Sequence, residues 1–247
     1  LRRGSRVAGV GSVVVSRQTG IGYTDERRRR AHGRTARRIR GLRPMLVGLD
    51  ASDVEALHDA MQWHVHYVGR GGIASFAISA IDIALWDLRC QALDRPLWQV
   101  AGGARKTCKA YGGGIDLAYP LPKLLTHVQS YIDAGLGGVK IKIGQPDMAD
   151  DIARIRAVRL QIGPDAAFMI DANYSLTRAQ AIELALAVKD QNILWFEEPI
   201  IPDDYAGYAE VANASGRAVP QGENLPTCPC TPSAATAQPP RSHPSSR

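Results

Sequence analysis

From Lys109 to about Glu223 the chain alternates between short apolar runs and longer amphipathic stretches. The runs are KAYGGG, GVKIKIG, AFMIDAN, ILWFEEP and RAVPQGEN. Between them, Ile152, Ile155, Val158 and Ile162 recur on one helical face, and Ala181, Leu184, Ala185 and Val188 on another. Strand–helix–strand repetition of this kind predicts a parallel sheet covered by helices. The spacing matches (β/α)8 barrel units, about 31 residues each when ~250 residues make eight. Five such strands can be counted. The expected fold class is α/β, a partial (β/α)8 TIM-type barrel of about five βα units over residues 108–225, preceded by an α+β domain over residues 1–107.

The first 107 residues read differently. Val13-Val14-Val15 followed by Gly20-Ile21-Gly22-Tyr23 predicts a strand and a turn. Residues 26–41 are an anomalous arginine-rich run without helical or strand periodicity, and residues 42–107 are expected to be helical. Ser52 with Glu55 three residues on has the form of a capping box. The stretch IASFAISAIDIALWDLRCQAL is apolar on nearly all sides and predicts a buried helix. Residues 226–247 contain no Leu, Ile, Val or Phe and are expected to be a disordered tail.

Composition narrows the function classes. With 247 residues and 45% hydrophobic content, the chain can bury a sizeable core. No run approaches the ~18 apolar residues of a membrane span, and LRRGSRVAGVG lacks signal-peptide character, although the sequence opens on Leu1 rather than Met. Cys90, Cys108, Cys228 and Cys230 are too few and too uneven for a disulfide framework, so a cytoplasmic location is expected. The net charge of +6 falls to −2 once the eight arginines between Arg27 and Arg40 are set aside. That run lacks interleaved aromatics and any nucleic-acid module, so neither nucleic acid nor membrane is expected as a partner.

The candidate chemistry sits at the C-terminal ends of the predicted strands, where barrel enzymes keep their active sites. Lys140 and Lys142 are two apart and share a strand face, as do Asp171 and Asn173. Glu197 and Glu198 end the fourth strand and Glu223 the fifth; Asp171, Glu197 and Glu223 follow one another at intervals of 26 residues. One carboxylate per βα unit at equal depth predicts three oxygen ligands converging on one point, a set suited to Mg2+. An inner barrel strand has no solvated face, so two lysines there need partners. A divalent cation stabilises the enolate formed when a proton alpha to a carboxylate is removed, and a lysine beside another cation can serve as base.

K-x-K at Lys140–Lys142, D-x-N at Asp171–Asn173, E-E-P at Glu197–Pro199 and G-E-N at Gly222–Asn224 together resemble the mandelate racemase/muconate lactonizing enzyme branch of the enolase superfamily. AISAIDIALWDLRCQALDRPLWQVAGG also resembles that family's segment between capping domain and barrel. The resemblance, from about Leu42 to Asn224, implies that residues 1–107 are the capping domain and that Mg2+ is the cofactor. It further implies Asp171, Glu197 and Glu223 as metal ligands, Lys142 as base and Lys140 as its electrostatic helper. Asn173 and Glu198 become supporting residues around the metal. A Lys or His base with Mg2+ is an established pattern of this superfamily rather than something these residues reveal. The implied substrate is a small carboxylate, a hydroxy or sugar acid, and the family often forms homo-oligomers. KIKIGQPD and the GRGG at Gly69–Gly72 are most similar to sugar-acid dehydratases and racemase-like members.

Family members carry a second acid or base on later strands. Here the only histidine between Lys109 and Asn224 is His127, on a predicted outer helix. Impaired turnover is therefore the expectation. The alternative is a non-catalytic gene fragment, or a basic interaction protein using the Arg27–Arg40 run.

Overall fold

A computed structural model describes residues 9–15, 18–24, 32–69 and 71–223. The expectations for Arg27–Arg30, for Asn224, for Cys228 and Cys230 and for the tail at 226–247 lie outside them. Contacts divide the chain into two compact units, with the break between Lys106 and Thr107. Among the described residues no helix is long and apolar enough to cross a membrane.

The first unit holds an antiparallel pair, β1 (Gly9–Val15) and β2 (Gln18–Thr24), and the helices α1 (His32–Leu46), α2 (Val54–His64), α3 (Ile73–Leu93) and α4 (Leu97–Val100). Three expectations are corrected here. Gly20–Tyr23 is strand, not turn: Gly20 and Gly22 are buried against α3, where a Cβ would collide with the backbone carbonyls of Ala84 and Ala80. The glycines thus serve close packing rather than a reversal. Residues 32–41 are helical rather than irregular, because Thr35, Ile39 and Leu42 form one inward face among arginines that favour helix. The cap of α2 is Asp53, which accepts the Ala56 N–H; Ser52 is not the cap, and Glu55 pairs with Arg89 instead. The predicted buried helix is α3. Its Ala77, Ile78, Ile81 and Leu85 pack with Leu42 of α1 and Leu57 and Met61 of α2.

The second unit is a parallel sheet in the order β3 (Gly112–Gly113), β4 (Gly138–Lys142), β5 (Ala167–Asp171), β6 (Ile193–Glu197). Between and after the strands run α5 (Leu121–Asp133), α6 (Met148–Ile162), α7 (Arg178–Ala187) and α8 (Tyr205–Ser215). Caps match local sequence: Asp147 begins α6, Thr177 and Gln180 close a capping box on α7, and Asp204 begins α8. The fifth predicted strand is reduced to one bridge, Trp195 with Ala218, supported by bonds from the Phe196 and Glu198 N–H groups to Ala218 and Pro220.

Alternation along the strands sorts the two faces of this sheet. Val139, Ile141, Phe168, Ile170 and Phe196 join Leu124, Val128, Ile155, Val158 and Leu184 of the helices in one core. The other face carries Lys140, Lys142, Asp171, Trp195 and Glu197, the inner side of a partial barrel. In β6 that sorting requires an irregularity. The register runs Phe168 with Ile193 and then Met169 with Trp195, so Leu194 is the extra residue of a bulge. It lets both Ile193 and Phe196 reach the core while Trp195 and Glu197 face inward.

Candidate active site

Register places the chemistry in two rows. Lys142 pairs with Asp171 and Asp171 with Glu197, forming an upper row at the C-terminal ends of the strands. Lys140, Met169 and Trp195 form the row beneath, with Gly113 beside Lys140. A Cβ added at Gly113 would meet Lys140, its side-chain stem included, at ordinary contact distance.

The lysines are counter-ions to the carboxylates. Lys142 Nζ donates to Asp171 Oδ2 at 2.5 Å. Lys140 reaches up from the lower row, donating to Glu197 Oε1 at 2.7 Å and standing 3.2 Å from Asp171 Oδ2. Burial by itself would lower the Lys140 pKa, but the Glu197 hydrogen bond and the charges of Asp171 and Glu197 outweigh it and hold the ammonium above its ordinary value. Asp171 is 1% exposed; burial pushes its carboxyl up, and the Lys142 hydrogen bond together with both lysine charges brings it below the usual range. An ammonium bridging two carboxylates from adjacent strands marks a place built for a cation. The all-oxygen donor set fits a hard divalent ion.

Behind this row the loops after β5 and β6 are joined by backbone bonds from Ala172 N–H to Glu197, Tyr174 N–H to Glu198 and Leu176 N–H to Pro199. Asn173, Tyr174 and Glu198 all have positive φ, at 42°, 64° and 46°. Such conformations cost energy in residues with a Cβ and concentrate at functional sites. Asn173 Nδ2 donates to Glu198 Oε2 at 3.2 Å. Burial raises the Glu198 carboxyl above its ordinary value, with partial opposition from the Tyr174 and Asn173 hydrogen bonds.

The predicted residues are not all gathered. Asp171 and Glu197 meet at Lys140, and Asn173 and Glu198 form the support behind them. Glu223 lines a cavity of about 440 Å3 with Trp195, Glu197, Glu198 and Gln221. Among the described residues, however, no three His, Cys, Asp or Glu side chains stand close enough to hold a metal ion. His127 bonds Tyr131 Oη at 2.8 Å and stacks edge-on against Tyr119 on the α5 side of the sheet.

Three residues escaped sequence reasoning. Asp116 is 1% exposed, and its Oδ1 accepts the Lys142 N–H at 2.8 Å, replacing a ladder partner that the two-residue β3 does not supply. Arg154 holds the same loop by donating to the Tyr119 and Asp116 carbonyls. Trp195 Nε1 donates to Glu197 Oε2 at 2.9 Å. A strict count of every second residue from Ile193 would have misplaced Trp195, because Leu194 is bulged.

Comparison with known proteins agrees with this geometry. The family model for the mandelate racemase/muconate lactonizing enzyme N-terminal domain matches residues 7–102, and that for the enolase C-terminal domain-like family matches residues 123–230. A 3,6-anhydro-alpha-L-galactonate cycloisomerase from Streptomyces coelicolor is 40% identical over 209 residues, covering 85% of this chain and 58% of the relative. Among solved structures, a racemase from Streptomyces coelicolor A3(2) with bound magnesium superposes with a TM-score of 0.82. It is 39% identical and covers 87% of this chain and 64% of that one. L-Talarate dehydratase from Polaromonas sp. JS666, complexed with Mg and L-glucarate, gives a TM-score of 0.77 at 34% identity, over 84% and 58% of the two chains. The chain thus spans somewhat over half the length of these relatives. Motifs, fold and both matched domains agree: this chain belongs to the mandelate racemase/muconate lactonizing enzyme family of the enolase superfamily.

Proposed function

We propose that this site abstracts the proton alpha to the carboxylate of a hydroxy or sugar acid; Asp171 and Glu197 would hold Mg2+, with Glu223, which is not gathered with them here, as the third ligand. That is the first half-reaction of a racemase-like isomerase or of an acid-sugar dehydratase. The observation that carries it is the row Lys142–Asp171–Glu197, with Lys140 reaching both carboxylates from below. The likeness to an L-talarate dehydratase complexed with Mg and L-glucarate and to a 3,6-anhydro-alpha-L-galactonate cycloisomerase supports the substrate class.

Mg2+, when bound, would offset the negative charge that grows on the substrate carboxylate as the proton leaves. Lys142 takes the proton at Nζ as the neutral amine, after the ammonium that bonds Asp171 has given up a proton to solvent. Its backbone is fixed by Asp116, so the base enters from a set direction. Lys140 stays cationic between its carboxylates and acts electrostatically. Asn173 and Glu198 brace the loops behind the ligands. In this reading residues 1–107 are the capping domain and residues 108–225 the partial barrel.

Proton exchange tests the reading. Candidate sugar acids incubated with the chain and Mg2+ in D2O should gain deuterium at the alpha carbon, followed by NMR. Lys142→Ala should slow that exchange about 10²–10⁴-fold while leaving Mg2+ binding in place. No exchange with any acid, together with no Mg2+ binding, would refute the proposal.

A further inference from the structure

Glu197 is gripped from beneath on both oxygens. Lys140, in the row below, takes Oε1 at 2.7 Å, and Trp195, two residues back on the same strand, takes Oε2 at 2.9 Å. The two donors differ in kind. An ammonium on a flexible stem can leave when another cation arrives, whereas an indole N–H on a ring packed into the sheet cannot follow. The Trp195 ring is held: its residue pairs with Met169 on one side and Ala218 on the other, and Tyr111 stands edge-on at 5.5 Å. Its position depends on the Leu194 bulge, which turns Trp195 inward together with Glu197.

We infer that Trp195 is a positioning residue for the metal site: its indole N–H fixes Oε2 of Glu197, leaving Oε1 turned toward Asp171 to receive a divalent cation. A carboxylate held at one oxygen loses less freedom on binding a metal, and such outer partners commonly govern affinity. This inference rests on the metal reading of Asp171 and Glu197 proposed above.

Two measurements test it. The first needs no metal. The emission contributed by Trp195, taken as wild type minus Trp195→Phe, should shift in Glu197→Gln, because a charged acceptor on Nε1–H becomes neutral. An unchanged spectrum would overturn the hydrogen bond. The second is calorimetric titration with MgCl2 alone. Trp195→Phe should weaken the wild-type Mg2+ affinity about 10–100-fold, with the melting transition retained. Trp63→Phe, at an exposed residue, should leave the affinity unaltered. Mg2+ binding that is undiminished in Trp195→Phe would overturn the role of Trp195 alone. A wild-type chain that binds no Mg2+ would overturn the metal reading and this inference with it.

Discussion

Strands β2 and β4 both alternate with period two, yet they use their faces in opposite ways. In β2 the residues toward the helix are the smallest available, Gly20 and Gly22, while Ile21 and Tyr23 are 57% and 61% exposed. In β4 the helix side is Val139 and Ile141, fully buried, and the other face holds Lys140 and Lys142. The α3 backbone comes directly onto β2, and its side chains complete the strand's polar groups: Asp87 accepts the Ile21 N–H and Gln91 donates to the Thr19 carbonyl. At β4 the helices instead meet a layer of apolar side chains. A sheet face can therefore be packed by removing side chains or by enlarging them, and only the second leaves a hydrophobic signature in sequence.

The comparison breaks most readily at Gly22. Gly22→Val places carbon atoms on the Ala80 carbonyl, a backbone group that cannot swing aside. The expected loss is about 3 kcal/mol or more, read from denaturant unfolding of the transition that includes α3. Ile21→Thr, at the exposed neighbour, should change stability by no more than about 0.5 kcal/mol. Equal effects at the two positions would show that β2 does not pack through its glycines.

This contrast explains what could be read in advance. The helix-facing apolar residues of β4 and β5 and the carboxylates at the strand ends obey simple spacing, so the partial barrel and Lys140, Lys142, Asp171 and Glu197 were legible. Gly20 and Gly22 resemble turn residues until α3 is placed against them. Thr35, Ile39 and Leu42 have helical spacing, but the surrounding arginines conceal it. Asp116 gains its role only because β3 stops after two residues, and Trp195 only because Leu194 bulges. Those are properties of pairing between strands, and no single segment records them. Convergence of Glu223 with Asp171 and Glu197 was expected from equal spacing. The lone bridge at Ala218 leaves that part of the chain with little pairing to enforce it.

A smaller effect concerns charge buried beyond β4. Asp151 is 1% exposed and accepts the N–H groups of Gly144 and Gln145 through Oδ2. Burial raises its pKa above the ordinary 3.8, against the opposing pull of those two bonds and of Arg154. A raised carboxyl pKa means that the folded state binds the proton more tightly than the unfolded state. Its stabilising contribution is complete below the unfolded value and is lost as pH rises through the folded one. Asp151→Asn keeps an oxygen for both N–H groups without the charge. The variant should therefore gain on the wild type as pH is raised from below 3.8 toward neutrality, then hold a constant difference. A difference independent of pH would show that the charge of Asp151 is not what burial opposes.

The smallest effect separates charge density from charge placement. Arg34, Arg37, Arg38 and Arg40 are exposed on α1 and have no ion pair among the described residues, whereas Lys140 and Lys142 are both paired. The first turn of α1 contains no acidic residue, so Arg34 sits at the positive end of the helix dipole. Replacing these four arginines with Gln preserves helix propensity and removes mutual repulsion. Stability should change by no more than about 0.5 kcal/mol, toward greater stability. Mg2+ affinity at 0.15 M salt should stay unaltered, since the ion pairs of Asp171 and Glu197 among the described residues are with Lys140 and Lys142 and not with these arginines. A loss of Mg2+ affinity or of alpha-proton exchange in the quadruple variant would give the arginine helix a part in the chemistry.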